Sequence, residues 1–154
     1  MKDSDWVVLI ADDEKDVHTI THMVCSDFKF EDNNVSFIDS YSAKETIEMI
    51  RDNKVSALIL DMIMENDDSG IDVINEIRDN MLNIDTRIIL RSGNIVNHSF
   101  MERYNINGCI EKHNTDSTSL KNSILFALRG YRDIINVGGK NGENINNITT
   151  IDSN

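Results

Sequence analysis

Proline is absent from all 154 residues. No turn in this chain is therefore set by a pyrrolidine ring, and no signal can pass through X-Pro isomerisation. Cysteine is nearly absent too. Cys25 and Cys109 have no metal-ligand partner at a useful spacing, which excludes a zinc cage and a disulfide scaffold and fits free thiols in a reducing, cytoplasmic setting. Basic residues are in deficit: 15 Lys and Arg face 27 Asp and Glu, for a net charge of −12. No Lys/Arg stripe exists to displace counterions from a phosphate backbone, so nucleic acid is not an expected partner. Long apolar runs are missing as well. The opening MKDSDWVVLI has an apolar stretch too short for a signal peptide or a membrane span, and no membrane partner is expected. What remains is ordinary, with 40% hydrophobic and 27% charged residues, as in one soluble domain with a real core.

Short apolar runs alternate with segments of helical period. Val7 to Ile10, Val35 to Ile38, Ala57 to Leu60, Ile88 to Leu90 and residues 107–111 read as five strands. Between them, Val17, Ile20, Val24 and Phe28 predict one helical stripe, and Ile71, Ile74, Ile77 and Met81 another. Ser42 and Glu45 form a capping box ahead of Ile47 and Ile50. A weaker helix is expected near 97–104, and a last one over about 116–136 with Leu120, Ile124, Leu128 and Tyr131 on one face. Strict alternation of strand and helix implies an α/β fold, a parallel sheet covered on both faces. The domain is expected over 1–136, and VGGKNGENINNITTIDSN, residues 137–154, reads as a flexible Gly/Asn-rich tail.

In a parallel sheet the carboxyl ends of all strands share one edge. Asp12 and Asp13 follow the first strand, Asp61 the third, Ser92 the fourth, and Lys112 stands at the end of the fifth. Carboxylates held together repel unless a cation sits among them, and an all-oxygen set suits Mg2+. A carboxylate beside Mg2+ can attack a phosphoryl group, while a hydroxyl and an ammonium stabilise its oxygens. The constellation points to an acyl phosphate.

LIADDE, LILDMIM, IILRSGN and the EK of GCIEKHN, each after its own strand and in this order, resemble the receiver domain of two-component response regulators. The resemblance implies a flavodoxin-like (CheY-like) doubly wound five-stranded sheet of order 2-1-3-4-5. It implies Asp61 as phosphoacceptor, with Asp12, Asp13, Asp61 and the Ile63 backbone carbonyl around Mg2+, and with Ser92 and Lys112 contacting the phosphoryl group. It also implies a histidine kinase or histidine phosphotransfer protein as donor, a downstream protein partner, and leaves a homodimer open. ADDEKDVHTIT, SYSAKE, RIILRSGN and ALRGYRDI are similar to receivers that precede a domain of unknown function in HD-GYP phosphodiesterase or histidine kinase proteins. The chain ends shortly after YRDI, so no phosphodiesterase activity is expected of it; the reading is a signalling module rather than an enzyme.

Three positions depart from the family pattern. Glu65 and His113 stand where prolines are common, and Cys109 stands where an aromatic residue commonly reports phosphorylation. A pseudo-receiver, an interaction module working without phosphorylation, is therefore the alternative. A phosphatase of the haloacid dehalogenase type ranks last, because Ile63 stands where its second aspartate belongs. Asp67 and Asp68 read as a solvated turn, and His18 and His22 as surface or satisfied histidines rather than a metal pair. Cys25 reads as core, and Gly70 as the start of the third helix.

Overall fold

In the computed structural model, residues 6–94, 96–113 and 115–149 are described, with side chains up to 138. Five parallel strands form the sheet: β1 (Trp6–Ala11), β3 (Asn33–Ser40), β4 (Ala57–Asp61), β5 (Arg87–Ser92) and β6 (Gly108–Glu111). A two-residue strand, β2 (Lys29–Phe30), adds an antiparallel rung at the outer edge of β3. The spatial order is β2-β3-β1-β4-β5-β6. Leaving out that rung, the parallel strands run 2-1-3-4-5, the expected flavodoxin-like order.

The strands read as unbroken apolar runs because both of their faces are covered. Val8, Ile59 and Ile89 point into one core with Leu120, Ile124, Leu128 and Tyr131 of the last helix, α5 (Ser117–Thr149). Leu9, Leu58, Leu60, Ile88 and Leu90 point into the other. There they meet α2 (Ala43–Asp52), α3 (Ser69–Asn75), a π-helical turn (Glu76–Asn80) and α4 (His98–Arg103). The period of two along each strand decides which core a side chain joins.

Local chemistry sets the ends. Ser42 Oγ accepts from the Glu45 N–H at 3.1 Å, and Glu45 reaches back to the Tyr41 N–H at 3.0 Å, so the expected capping box forms one residue wide of its usual partner. Gly70 lies in the first turn of α3, where a Cβ would stand 2.6 Å from the Met62 Cα. Only glycine allows this approach, and its N–H donates to the Met62 carbonyl at 3.0 Å.

Three expectations need correction. The β2–β3 hairpin was not foreseen, because Glu31 and Asp32 both adopt positive φ (50° and 62°) in a two-residue turn that usually calls for Asn-Gly. The first helix, α1 (Lys15–Val24), brings its stripe inward only in part: Val24 and the following Phe28 pack against the core, but Ile20 is 59% exposed. Its buried side chains are His18 and Thr21, followed by Cys25 just past its end, a mostly polar set. Finally, α5 runs on to Thr149 rather than ending near 136; residues 150–154 lie outside the described ones.

Candidate functional site

The carboxyl ends of β1, β4, β5 and β6 bring the expected groups together. Asp61 closes β4 and is 3% exposed; Asp12, directly after β1, is 1% exposed, and Asp13 beside it is open to solvent. Ligand oxygens of these three acids lie within 4.8 Å of one another. Lys112, directly after β6, reaches into the cluster. Its Nζ donates to Asp61 Oδ2 at 2.8 Å and stands 3.1 Å from Glu14 Oε1 and 3.6 Å from Asp12 Oδ2. A cavity of about 330 Å³ opens over the group, lined also by Ile63, Ser92 and Asn94. Ser92 Oγ accepts from the Asn94 N–H at 3.2 Å, which leaves its own proton available. Ile63 donates its N–H to Asp61 Oδ1 at 3.2 Å.

The electrostatics follow from crowding. Burial pushes the Asp61 carboxyl above its ordinary value; the Lys112 hydrogen bond opposes this, and the charge of Asp12 adds to it. Burial alone would lower Lys112, but its hydrogen bonds to Asp61 and Glu14, and the charges of Asp61 and Asp12, outweigh that and hold it above its ordinary value. Among the described residues no hydrogen-bond partner reaches the buried Asp12 Oδ2. An oxygen-only donor set with one buried carboxylate oxygen that accepts no hydrogen bond suits a hard divalent cation.

A buried arginine lies beneath the acids. Arg91 is the β5 partner of Asp61 in the sheet register, and its Nη1 donates to Thr21 Oγ1 of α1 at 3.0 Å. Burial lowers Arg91, and the charges of Asp12, Cys25 and Asp61 counter that. The charged letter inside the apolar run IILRS was the available signal for it. Glu65 was noted for the proline it displaces, but its contact was not foreseen: Oε1 accepts from the N–H of Ala43, the first residue of α2, at 2.9 Å. A larger cavity, about 510 Å³, lies between the end of α1 and the β2–β3 hairpin, away from the acids.

The family profile of the response regulator receiver domain matches residues 8–124. The chain belongs to this family. Solved receivers share the fold. One from Clostridium thermocellum superposes with a TM-score of 0.70 at 16% identity, over 84% of this chain and 98% of its own. A CheY-like receiver from Methanospirillum hungatei gives 0.68 at 23%, over 82% and 97%. Among curated proteins, the 3'3'-cGAMP-specific phosphodiesterase 2 of Vibrio cholerae serotype O1 is 29% identical over 133 residues. That match covers 84% of this receiver but only 26% of the relative. Among the described residues no helix is long and apolar enough to cross a membrane.

Proposed function

We propose that this receiver accepts a phosphoryl group on Asp61 from a histidine kinase or histidine phosphotransfer protein in the cytoplasm, and passes the signal on by protein–protein contact. The observation that carries the reading is the set of three acids with Lys112 Nζ 2.8 Å from Asp61, where Asp13, Asp61 and Lys112 line one cavity. The receiver unit is assigned to residues 1–136, with 137–154 as the chain beyond it. Asp12, Asp13, Asp61 and the Ile63 carbonyl would hold Mg2+, which when bound offsets the negative charge gathered on the acids and the phosphoryl oxygens.

An Asp61 carboxylate oxygen attacks phosphorus, the P–N bond to the donor imidazole breaks, and an acyl phosphate results. Rigidity of the buried β4 strand keeps the attacking oxygen in place. Lys112, already paired with Asp61, follows the negative charge outward onto a phosphoryl oxygen, and the Ser92 hydroxyl donates to another. The site supports chemistry on this one carboxylate and no phosphodiester cleavage by this segment.

Incubating the chain with acetyl phosphate and Mg2+ should add one phosphoryl mass, and Asp61→Asn should gain none. A gain that persists in Asp61→Asn refutes the assignment. No gain on the wild type favours the pseudo-receiver alternative, which has an observation of its own. Cys109 lines a cavity of about 200 Å³ beside Ser92 and Val96, and none of the described residues that line it is aromatic.

A further inference from the structure

We propose that His18 is a positioning residue of the cation site, clamping the Asp12 carbonyl and so fixing the peptide plane from which the Asp12 and Asp13 carboxylates are aimed. The inference rests on the proposed reading of the acids as cation ligands. His18 is 3% exposed, on the buried face of α1. Its Nε2 lies 2.7 Å from the Asp12 carbonyl oxygen, and its Nδ1 lies 2.6 Å from Asp39 Oδ1. A carbonyl only accepts, so Nε2 carries the proton and donates. Asp39 comes from β3, at the position paired with Ile10 of β1, so three elements meet on this one ring. His22, one turn further along α1, reaches the same carboxylate at 2.9 Å, and the Tyr41 ring packs against His18 with centroids 4.3 Å apart.

The polar atoms of Asp12 make the purpose of the clamp visible. Its N–H donates to the Ser40 carbonyl at 3.1 Å, its carbonyl accepts from His18, and its Oδ1 accepts from the Glu14 N–H at 2.8 Å. Only Oδ2 is left without a hydrogen bond among the described residues, and it stands 3.6 Å from Lys112 Nζ. Every atom but the prospective ligand is tied down. Outer partners that orient a ligand commonly matter to metal affinity by about 10–100-fold, and here the orientation passes through the backbone rather than through a ligand side chain. An apolar residue at position 18 would fill the same space, yet would leave the Asp12 carbonyl without its donor and Asp39 with His22 alone.

The test is Mg2+ affinity, measured by calorimetry on the full chain with the metal alone. His18→Phe keeps a ring and loses both nitrogens, and should weaken Mg2+ binding about tenfold or more. His18→Gln, whose amide can reach the Asp12 carbonyl, should recover most of that loss. Val24→Ala loosens the packing of the same helix against the core, and should leave affinity unchanged even where it lowers Tm. Equal Mg2+ affinity in wild type and folded His18→Phe overturns the proposal, and so does an equal loss in Val24→Ala. Should His18→Phe not fold, Asp39→Asn carries the test: weaker binding supports the clamp and unchanged binding overturns it. A wild type that binds no Mg2+ sinks the cation site and the clamp together. A wild type that binds Mg2+ but takes no phosphoryl group sinks only the phosphoacceptor reading.

Discussion

Asp61→Asn should make the metal-free protein more stable, although it removes the residue on which the proposed chemistry depends. At an effective dielectric of about 20, two unit charges at the 4.8 Å that bounds the acid oxygens repel by about 3.5 kcal/mol. Lys112 at 2.8 Å attracts Asp61 by about 6 kcal/mol on the same scale. Asp12 and Asp13 together therefore nearly cancel the ammonium, with the share of the exposed Asp13 reduced by solvent. Burial then decides, because a carboxylate 3% exposed carries a desolvation cost of several kcal/mol that an amide largely escapes. A net gain of about 2 kcal/mol is expected, which in a chain of this size raises Tm by about 4–8 °C. The sign with pH follows from the raised carboxyl of Asp61. The folded wild type holds this proton more tightly than the unfolded chain does. Its disadvantage is absent below the ordinary value of 3.8 and grows as pH rises through the folded-state value. Mg2+ should reverse the order, since about a hundredfold excess over Kd stabilises the wild type by about 2.7 kcal/mol and the variant far less. Thermal melts in EDTA and in Mg2+ across pH 4–8 measure all of this. An Asn variant no more stable than wild type in EDTA refutes the balance, and so does an equal Mg2+ shift in both proteins.

Two further outcomes follow from features away from the reacting groups. Gly70→Ala places a Cβ 2.6 Å from the Met62 Cα; it should cost about 1–3 kcal/mol in denaturant melts and slow phosphorylation, because Met62 directly follows Asp61. A wild-type rate in the folded variant would show that the acceptor loop does not depend on this approach. Of the two thiols, Cys25 is buried, and burial raises it to about 11, while Cys109 is exposed. Native protein at pH 8 should therefore give one fast equivalent with a thiol reagent and a second only on unfolding; two fast equivalents would contradict the packing under α1.

The parts of the fold legible in the sequence were those governed by period. Leu120, Ile124, Leu128 and Tyr131 recur at helical spacing and all four are buried in one core. The site groups were legible for a related reason: each follows a strand, and parallel strands end together. What escaped depends on register between elements. The α1 stripe held only in part because the helix turns His18 and Thr21 inward to meet Asp39 and Arg91, and hydrophobicity carries no trace of such pairing. The β2 rung escaped because two residues hold no period, and its turn uses Glu31 where glycine or asparagine would have announced it. Glu65 and Ala43 are 22 residues apart, a separation that no local pattern spans.

That last contact ties the loop after Asp61 to α2 by a single exposed bond. Proline stiffens a chain in every state it visits, whereas the Glu65 carboxylate holds the loop only while the first turn of α2 is within reach. An exposed bond of this kind contributes about 1 kcal/mol, which leaves it open in about one molecule in six at any instant. The tie to α2 is therefore intermittent, while the Gly70 N–H keeps its hold on the Met62 carbonyl at the base of the same loop.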